Sequence, residues 1–286
     1  MSTLTALLAT DELLILPGAY DALSARVAVR SGARAVYMTG FGVVGSAYGV
    51  PDIGLIGPDQ MAERVRSIAS AIHPVALIAD GDNGHGGPAN VARLVRAYEQ
   101  AGAQCIQLED QVSPKRCGHM DNKEVVPLAE AQARIRAAVS ARSSPEFKIM
   151  ARTDARATHS LDEALKRGES FVRAGADILF IEAPRSETEL RRIAEHFPGV
   201  PLVANMVEEG KTPLLSPTAL AQIGYRIALY PISALLAVTR RLESAYASVL
   251  AGQPIDAQER SSFAQYNDIV GKRGFEAFLL ECNQLS

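Results

Sequence analysis

The strongest constraint on the fold is a phrase repeated eight times along the chain. A short run rich in Val, Ile and Leu is followed by a longer stretch of helical period, and then the phrase begins again. Alternation of that kind is the pattern of βα units laid side by side. The spacing predicts strands at Leu13–Leu16, Ala35–Thr39, Val75–Asp80, Cys105–Glu109, Lys148–Arg152, Ile178–Glu182, Leu202–Asn205 and Ile227–Tyr230. Helices are predicted to begin near Asp21, Pro58, Pro88, Leu128, Leu161, Glu187, Pro217 and Ile232. Pro58 and Pro88 suit a first helical turn, where the missing N–H costs nothing. Ser31-Gly32-Ala33, Ala101-Gly102-Ala103 and Ala174-Gly175-Ala176 repeat one punctuation before a strand, and glycine there fits a helix C-cap. Eight units favour a parallel (β/α)8 barrel of the TIM type over a doubly wound sheet, although counting strands does not separate the two.

The length of 286 residues fits one such barrel domain, with 256–286 left over as a C-terminal helical extension. A hydrophobic share of 48% supplies a sizeable core. A net charge of −3 gives no electrostatic footprint for nucleic acid. No apolar run reaches the ~20 residues of a membrane span, and the N-terminus lacks the pattern of a signal peptide. Cys105, Cys117 and Cys282 are too few and too scattered for a disulfide framework or a zinc site. The chain reads as a soluble protein of a reducing compartment, expected in the cytoplasm.

Chemistry gathers where the strands end. Asp80 and Asp82 follow the third strand, Glu109 and Asp110 the fourth, Arg152 and Asp154 the fifth, Glu182 the sixth and Asn205 the seventh. In a barrel these positions meet at the C-terminal face, where active sites of this fold lie. Two connections, Gly40–Gly57 and Asp110–Val126, exceed the usual βα loop and have the length of lids. Asp80 and Asp82 sit in a glycine-rich turn and, with Glu109, offer oxygen ligands for a hard cation. A turn aspartate explains Asp82 as readily when it is taken alone.

The segment Lys115-Arg116-Cys117-Gly118-His119 surrounds one thiol with cations, which favours thiolate over an ordinary pKa of about 8.5. Cys105, inside an apolar strand, is expected in the core. Arg152 offers a planar fork to a substrate carboxylate, or pairs with Glu182 or Asp154, or does both. His85, beside three glycines, reads as a turn residue.

Motifs along nearly the whole chain resemble the phosphoenolpyruvate mutase/isocitrate lyase superfamily. They are P-G-A-Y-D-A-L-S-A-R (17–26), Y-M-T-G-F-G (37–42), G-V-P-D-I-G (49–54), D-G-D-N-G (80–84) and L-E-D-Q…P-K-R-C-G-H (108–119). A-R-T-D-A-R (151–156), I-E-A-P (181–184), A-N-M-V-E-E-G-K-T-P (204–213) and A-L-Y-P-I-S (228–233) complete the set. The resemblance implies Mg2+, with Mn2+ as a substitute, held by Asp80 and Asp82 with Glu109 in its water shell. It implies an α-keto or α-hydroxy carboxylate bound by Thr39, Gly40, Phe41 and Arg152, in a pocket completed by Asp52, Glu182 and Asn205. Lys115, Arg116, Gly118 and His119 would lie on a mobile gate whose Cys117 is a general acid. Tyr37 and Glu109 both remain candidates for the base.

A homotetramer exchanging C-terminal helices is implied as well. The implied activity is cleavage of the C2–C3 bond of a 2-hydroxy di- or tricarboxylate. Leu235 and Leu236 stand where the methylisocitrate-cleaving branch carries an arginine, which favours a smaller or more apolar substrate such as a 2-alkylmalate. Gly81 and His85 also depart from the commoner residues. Phosphoryl transfer of the carboxyphosphonoenolpyruvate mutase type, hydrolysis or decarboxylation of oxaloacetate, and a barrel that only binds carboxylates are the competing readings.

Overall fold

A computed structural model describes residues 3–115 and 123–284. Arg116, Cys117, Gly118 and His119, all expected in the site, lie outside the described residues.

Eight strands are present: β1 (Leu14–Ala19), β2 (Ala35–Met38), β3 (Ala76–Asp80), β4 (Cys105–Glu109), β5 (Lys148–Thr153), β6 (Ile178–Ile181), β7 (Val203–Asn205) and β8 (Ile227–Tyr230). Every pairing is parallel, in the order β6-β5-β4-β3-β2-β1-β8-β7. A parallel bridge between Leu179 and Leu202 joins the two ends, so the sheet is a nearly closed (β/α)8 barrel.

Period-two alternation divides the core. Leu14, Leu16, Tyr37, Ile78, Cys105, Met150, Ile178, Phe180 and Leu229 pack inside the barrel. Cys105 is fully buried there, as its apolar strand predicts. Leu4 and Leu7, from the short helix Leu4–Leu8, join the same cluster and cover one end of the barrel. A larger cluster fills the layer between sheet and helices. The helix Pro58–Ile72 shows why: Met61, Ala62, Val65, Ile68, Ala69 and Ile72 recur at three- and four-residue spacing and are all buried.

Local chemistry sets the boundaries. Asp21 caps the helix Ala22–Arg30 in a reciprocal box with Ser24, and Pro58, Pro88 and Pro217 each open a helix. Gly32, Gly102 and Gly175 follow their helices at φ +99°, +97° and +98°, a conformation that glycine adopts without a Cβ penalty. Two expectations shift. β1 extends past Pro17 to Ala19, because Gly18 lies against the Pro231 backbone where a Cβ would collide. The stretch 40–57, expected as loop, begins with a helix, Gly40–Tyr48, capped by Thr39 and ended by Gly49 at φ +64°.

The eighth barrel helix, Ser233–Leu250, buries none of its residues, and Phe275, Phe278 and Leu279 of the helix Lys272–Gln284 are exposed. Among the described residues no helix is long and apolar enough to cross a membrane.

Candidate active site

Asp80 ends β3, and its carboxylate is oriented by backbone and barrel together. Oδ1 accepts from the Asp82 N–H at 3.1 Å and from Gln107 Nε2 at 3.2 Å, while Oδ2 accepts from the Gly40 N–H at 3.3 Å. Gly40 is required there: a Cβ would lie 2.7 Å from Asp80 Oδ2. Tyr37 donates to Gln107 Oε1 at 2.8 Å, so a chain of hydrogen bonds runs from β2 through β4 to Asp80. Asp82 adopts φ +50° in the turn that follows. Its carbonyl accepts from the Glu109 N–H at 2.9 Å, which ties this turn to the end of β4.

Glu109 and Asp110 are adjacent in sequence but part company in space. Glu109 lines the central cavity, as do Asp80, Asp52 and Lys115. Asp110 is bonded away from it, accepting from Thr153 Oγ1 at 2.6 Å and from Arg167 at 3.0 Å. Arg152 also faces the cavity. Its fork is bidentate to Asp154 at 3.0 Å on both arms, with Glu109 at 3.5 Å and Glu182 at 3.7 Å. Lys123 reaches Asp154 from another side at 2.5 Å. Asn205 donates to Glu182, 3.2 Å from Oε2. Lys115 contacts Asp52 at 2.6 Å and Asp82 at 2.7 Å.

Burial sorts these groups. It pushes Asp80 up to about 6, with the Asp82 charge adding to the effect. It raises Glu109 well above the ordinary carboxyl range against the opposing pull of Arg152. Asp154 is as deeply buried, yet the Arg152 and Lys123 cations hold it well below that range. Burial and then Asp80 push the Tyr37 hydroxyl well up, so the phenol stays protonated. Burial also acts against the charge on Lys115, but Asp82, Asp80, Glu109 and Asp52 outweigh it and the ammonium is held.

Glu109 Oε1 is buried without a hydrogen-bond donor, and Asp82 Oδ1, also buried, is met by the Lys115 ammonium. Together with Asp80 they make an all-oxygen set suited to a hydrated Mg2+. Among the described residues no three His, Cys, Asp or Glu side chains converge as direct ligands.

The cavity encloses about 510 Å³. Of the residues expected from sequence, Tyr37, Thr39, Phe41, Asp52, Asp80, Glu109, Lys115, Arg152 and Asn205 line it. Gly40, Asp82 and Glu182 stand directly behind the wall, bonded to groups that line it. Leu236, read from the sequence as favouring an apolar substrate, lines the cavity too, together with Pro51, Val207, Pro231 and Ile232, to which sequence reading gave no role. Sequence reading also passed over Gln107, whose signal is a polar residue at an inward position of an apolar strand. Lys123 carries no such signal. His85 stands at φ +54° with Nε2 3.8 Å from Asp82, within the turn where it was expected.

The phosphoenolpyruvate phosphomutase family model matches residues 4–250. 2,3-Dimethylmalate lyase of Eubacterium barkeri is 45% identical over 267 residues, covering 93% of this chain and 92% of that one. A solved structure of oxaloacetate acetylhydrolase with 3,3-difluorooxalacetate superposes with a TM-score of 0.91 at 32% identity, covering 97% of this chain and 94% of that one. Phosphonopyruvate hydrolase in complex with oxalate and Mg2+ gives a TM-score of 0.86 at 29% identity, covering 99% and 98%.

Proposed function

Because the chain belongs to the phosphoenolpyruvate phosphomutase family, we propose that it is a carbon–carbon lyase of the isocitrate lyase/phosphoenolpyruvate mutase superfamily. Its substrate is a small 2-hydroxy dicarboxylate of the 2-alkylmalate type, cleaved between C2 and C3 to an α-keto acid and a carboxylate. One observation carries this reading: one cavity is lined both by charged groups, among them Asp80, Glu109, Arg152, Glu208 and Glu209, and by apolar ones, Val207, Pro231, Ile232 and Leu236. A dicarboxylate that also carries alkyl groups matches both.

Asp80, Asp82 and Glu109 would hold Mg2+ or Mn2+, which when bound supplies positive charge beside the C2 oxygen and its carboxylate. Arg152 orients a substrate carboxylate, since only part of its charge is met by Asp154 in the wall. Glu109, raised by burial, takes the proton of the 2-hydroxyl. Tyr37 is the weaker candidate, because its hydroxyl is already a donor to Gln107 and is held protonated. As the C2 oxygen becomes a carbonyl, the C2–C3 electron pair moves onto the C3 fragment as the enediolate of its carboxylate. Cys117 then delivers a proton to C3.

Self-association belongs to the same proposal. The helix Ser233–Leu250 leaves Leu236, Leu242, Tyr246 and Val249 exposed, while Ile15 on the outer face of β1 is 41% exposed in the same region. A homotetramer that exchanges these C-terminal helices covers both faces, and light scattering measures it directly. Turnover is tested by supplying 2-alkylmalates, methylisocitrate, oxaloacetate and carboxyphosphonoenolpyruvate with Mg2+ and reading products by NMR. Keto-acid release from a 2-alkylmalate supports the reading; turnover of carboxyphosphonoenolpyruvate alone overturns it.

A further inference from the structure

We propose that Lys115 is a tethered counter-ion that competes with the divalent cation for Asp82, with Asp52 as the berth to which it withdraws. The inference rests on the reading of Asp80, Asp82 and Glu109 as a cation site.

Three observations carry it. The Lys115 ammonium lies 2.7 Å from Asp82 Oδ1, a buried carboxylate oxygen whose contact is this ion pair. It therefore occupies the place where positive charge is needed. Both oxygens of Asp52 are also within reach, at 2.6 and 2.8 Å, so the ammonium can leave Asp82 without losing a partner. The side chains of Lys115, Asp52 and Asp82 are 5–6% exposed, which leaves little water to screen the exchange.

The backbone holds the lysine in place. Asn83 Nδ2, one residue beyond Asp82, donates to the Val112 carbonyl at 3.2 Å and to Ser113 Oγ at 3.1 Å. Lys115 is thus anchored to the same turn whose acid it neutralises. Its backbone also runs beside Gly54, in the segment that carries Asp52. Arg152, the other cation on the cavity wall, gives Nε and Nη2 to Asp154 and, among the described residues, has no ion pair with Asp52 or Asp82. Lys115 is consequently the cation that the described structure assigns to Asp52 and Asp82. A unit charge and a doubly charged ion cannot share one buried carboxylate cheaply, so loading the site must displace the ammonium.

The test is Mn2+ binding to the full chain stripped with EDTA, measured by titration calorimetry without substrate. Lys115→Met and Lys115→Gln are expected to tighten Mn2+ by at least about tenfold, a modest part of the repulsion removed. Lys115→Arg, which keeps the charge, is expected to restore wild-type affinity. Asp52→Asn removes the berth and is expected to weaken Mn2+ binding in wild type but not in Lys115→Met. The melting temperature of metal-free Lys115→Met should fall while that of its Mn2+-loaded form does not; a lysine with only a structural role would lower both. Equal or weaker Mn2+ binding by both neutral variants, with wild type binding normally, overturns the proposal. Absence of saturable Mn2+ binding by wild type overturns the cation site itself and the proposal with it.

Discussion

Removal of the divalent ion should destabilise this protein at neutral pH and hardly at all near pH 5. Asp80 is the reason. Burial and the neighbouring Asp82 raise it from 3.8 to about 6 in the metal-free fold. Between those values the folded chain binds a proton that the unfolded chain has lost. Metal-free stability therefore falls as pH rises through roughly 4 to 6 and stays low above that window. A shift of about two units at ~1.4 kcal/mol each places the cost of ionising Asp80 at about 3 kcal/mol. The ion binds only the ionised site, so its affinity weakens as pH drops below about 6. For a chain of this size ~1 kcal/mol moves the melting temperature by about 2–4 °C, so the expected Mg2+-dependent shift at about pH 7.5 is on the order of 10 °C. Scanning calorimetry with saturating Mg2+ or with EDTA reads both arms. Asp80→Asn should raise the metal-free melting temperature at neutral pH and abolish the response to Mg2+. A Mg2+ shift of equal size at about pH 5 and about pH 7.5 would refute the assignment of Asp80 to the cation.

The chemical roles separate by substitution. Cys117→Ser should nearly abolish cleavage while leaving binding of oxalate with Mg2+ intact; retained turnover would take the thiol out of the reaction. Glu109→Gln should cost at least about 100-fold in kcat and Tyr37→Phe less than about tenfold, and the reverse ranking moves the base to Tyr37. Along a series of 2-alkylmalates, each added methylene that reaches Val207, Ile232 and Leu236 should raise kcat/KM about fourfold, from ~0.8 kcal/mol of burial. A flat series, or preference for a substrate with a third carboxylate, would argue against an apolar wall as the determinant.

How much of this was legible in the sequence depends on whether the information is local. Helix starts at Pro58, Pro88 and Pro217 and stops at Gly32, Gly102 and Gly175 are written in single residues, and they fall where expected. Strand ends were legible because parallel strands in a barrel deliver their last residues to one face. The helix Gly40–Tyr48 was hidden by its glycines, which lower helix propensity yet allow the backbone to pass against Asp80 and Tyr20. Close approach in three dimensions overrode a local preference. The apolar lining was legible only in part: Leu236 was read as favouring an apolar substrate, whereas Pro51, Val207 and Ile232 lie in separate segments that the fold alone brings to one cavity.

Pairing of charges lies further from the sequence still. Glu109 and Asp154 are both buried carboxyls at the ends of neighbouring strands, and residue type alone gives them the same role. Two cations within 3 Å hold Asp154 ionised, whereas Glu109 has a single guanidinium at 3.5 Å and one oxygen with no donor. Environment therefore divides them into a fixed anion that steadies Arg152 and a carboxyl that burial holds well above the ordinary range and so disposes to take a proton. The division rests on Lys123, the first described residue after the segment that carries the thiol. Lys123→Met should leave Asp154 with Arg152 as its remaining strong partner and draw that guanidinium further from substrate. The expected outcome is a raised KM with a smaller change in kcat, and the opposite split would place Lys123 in the bond-breaking step itself.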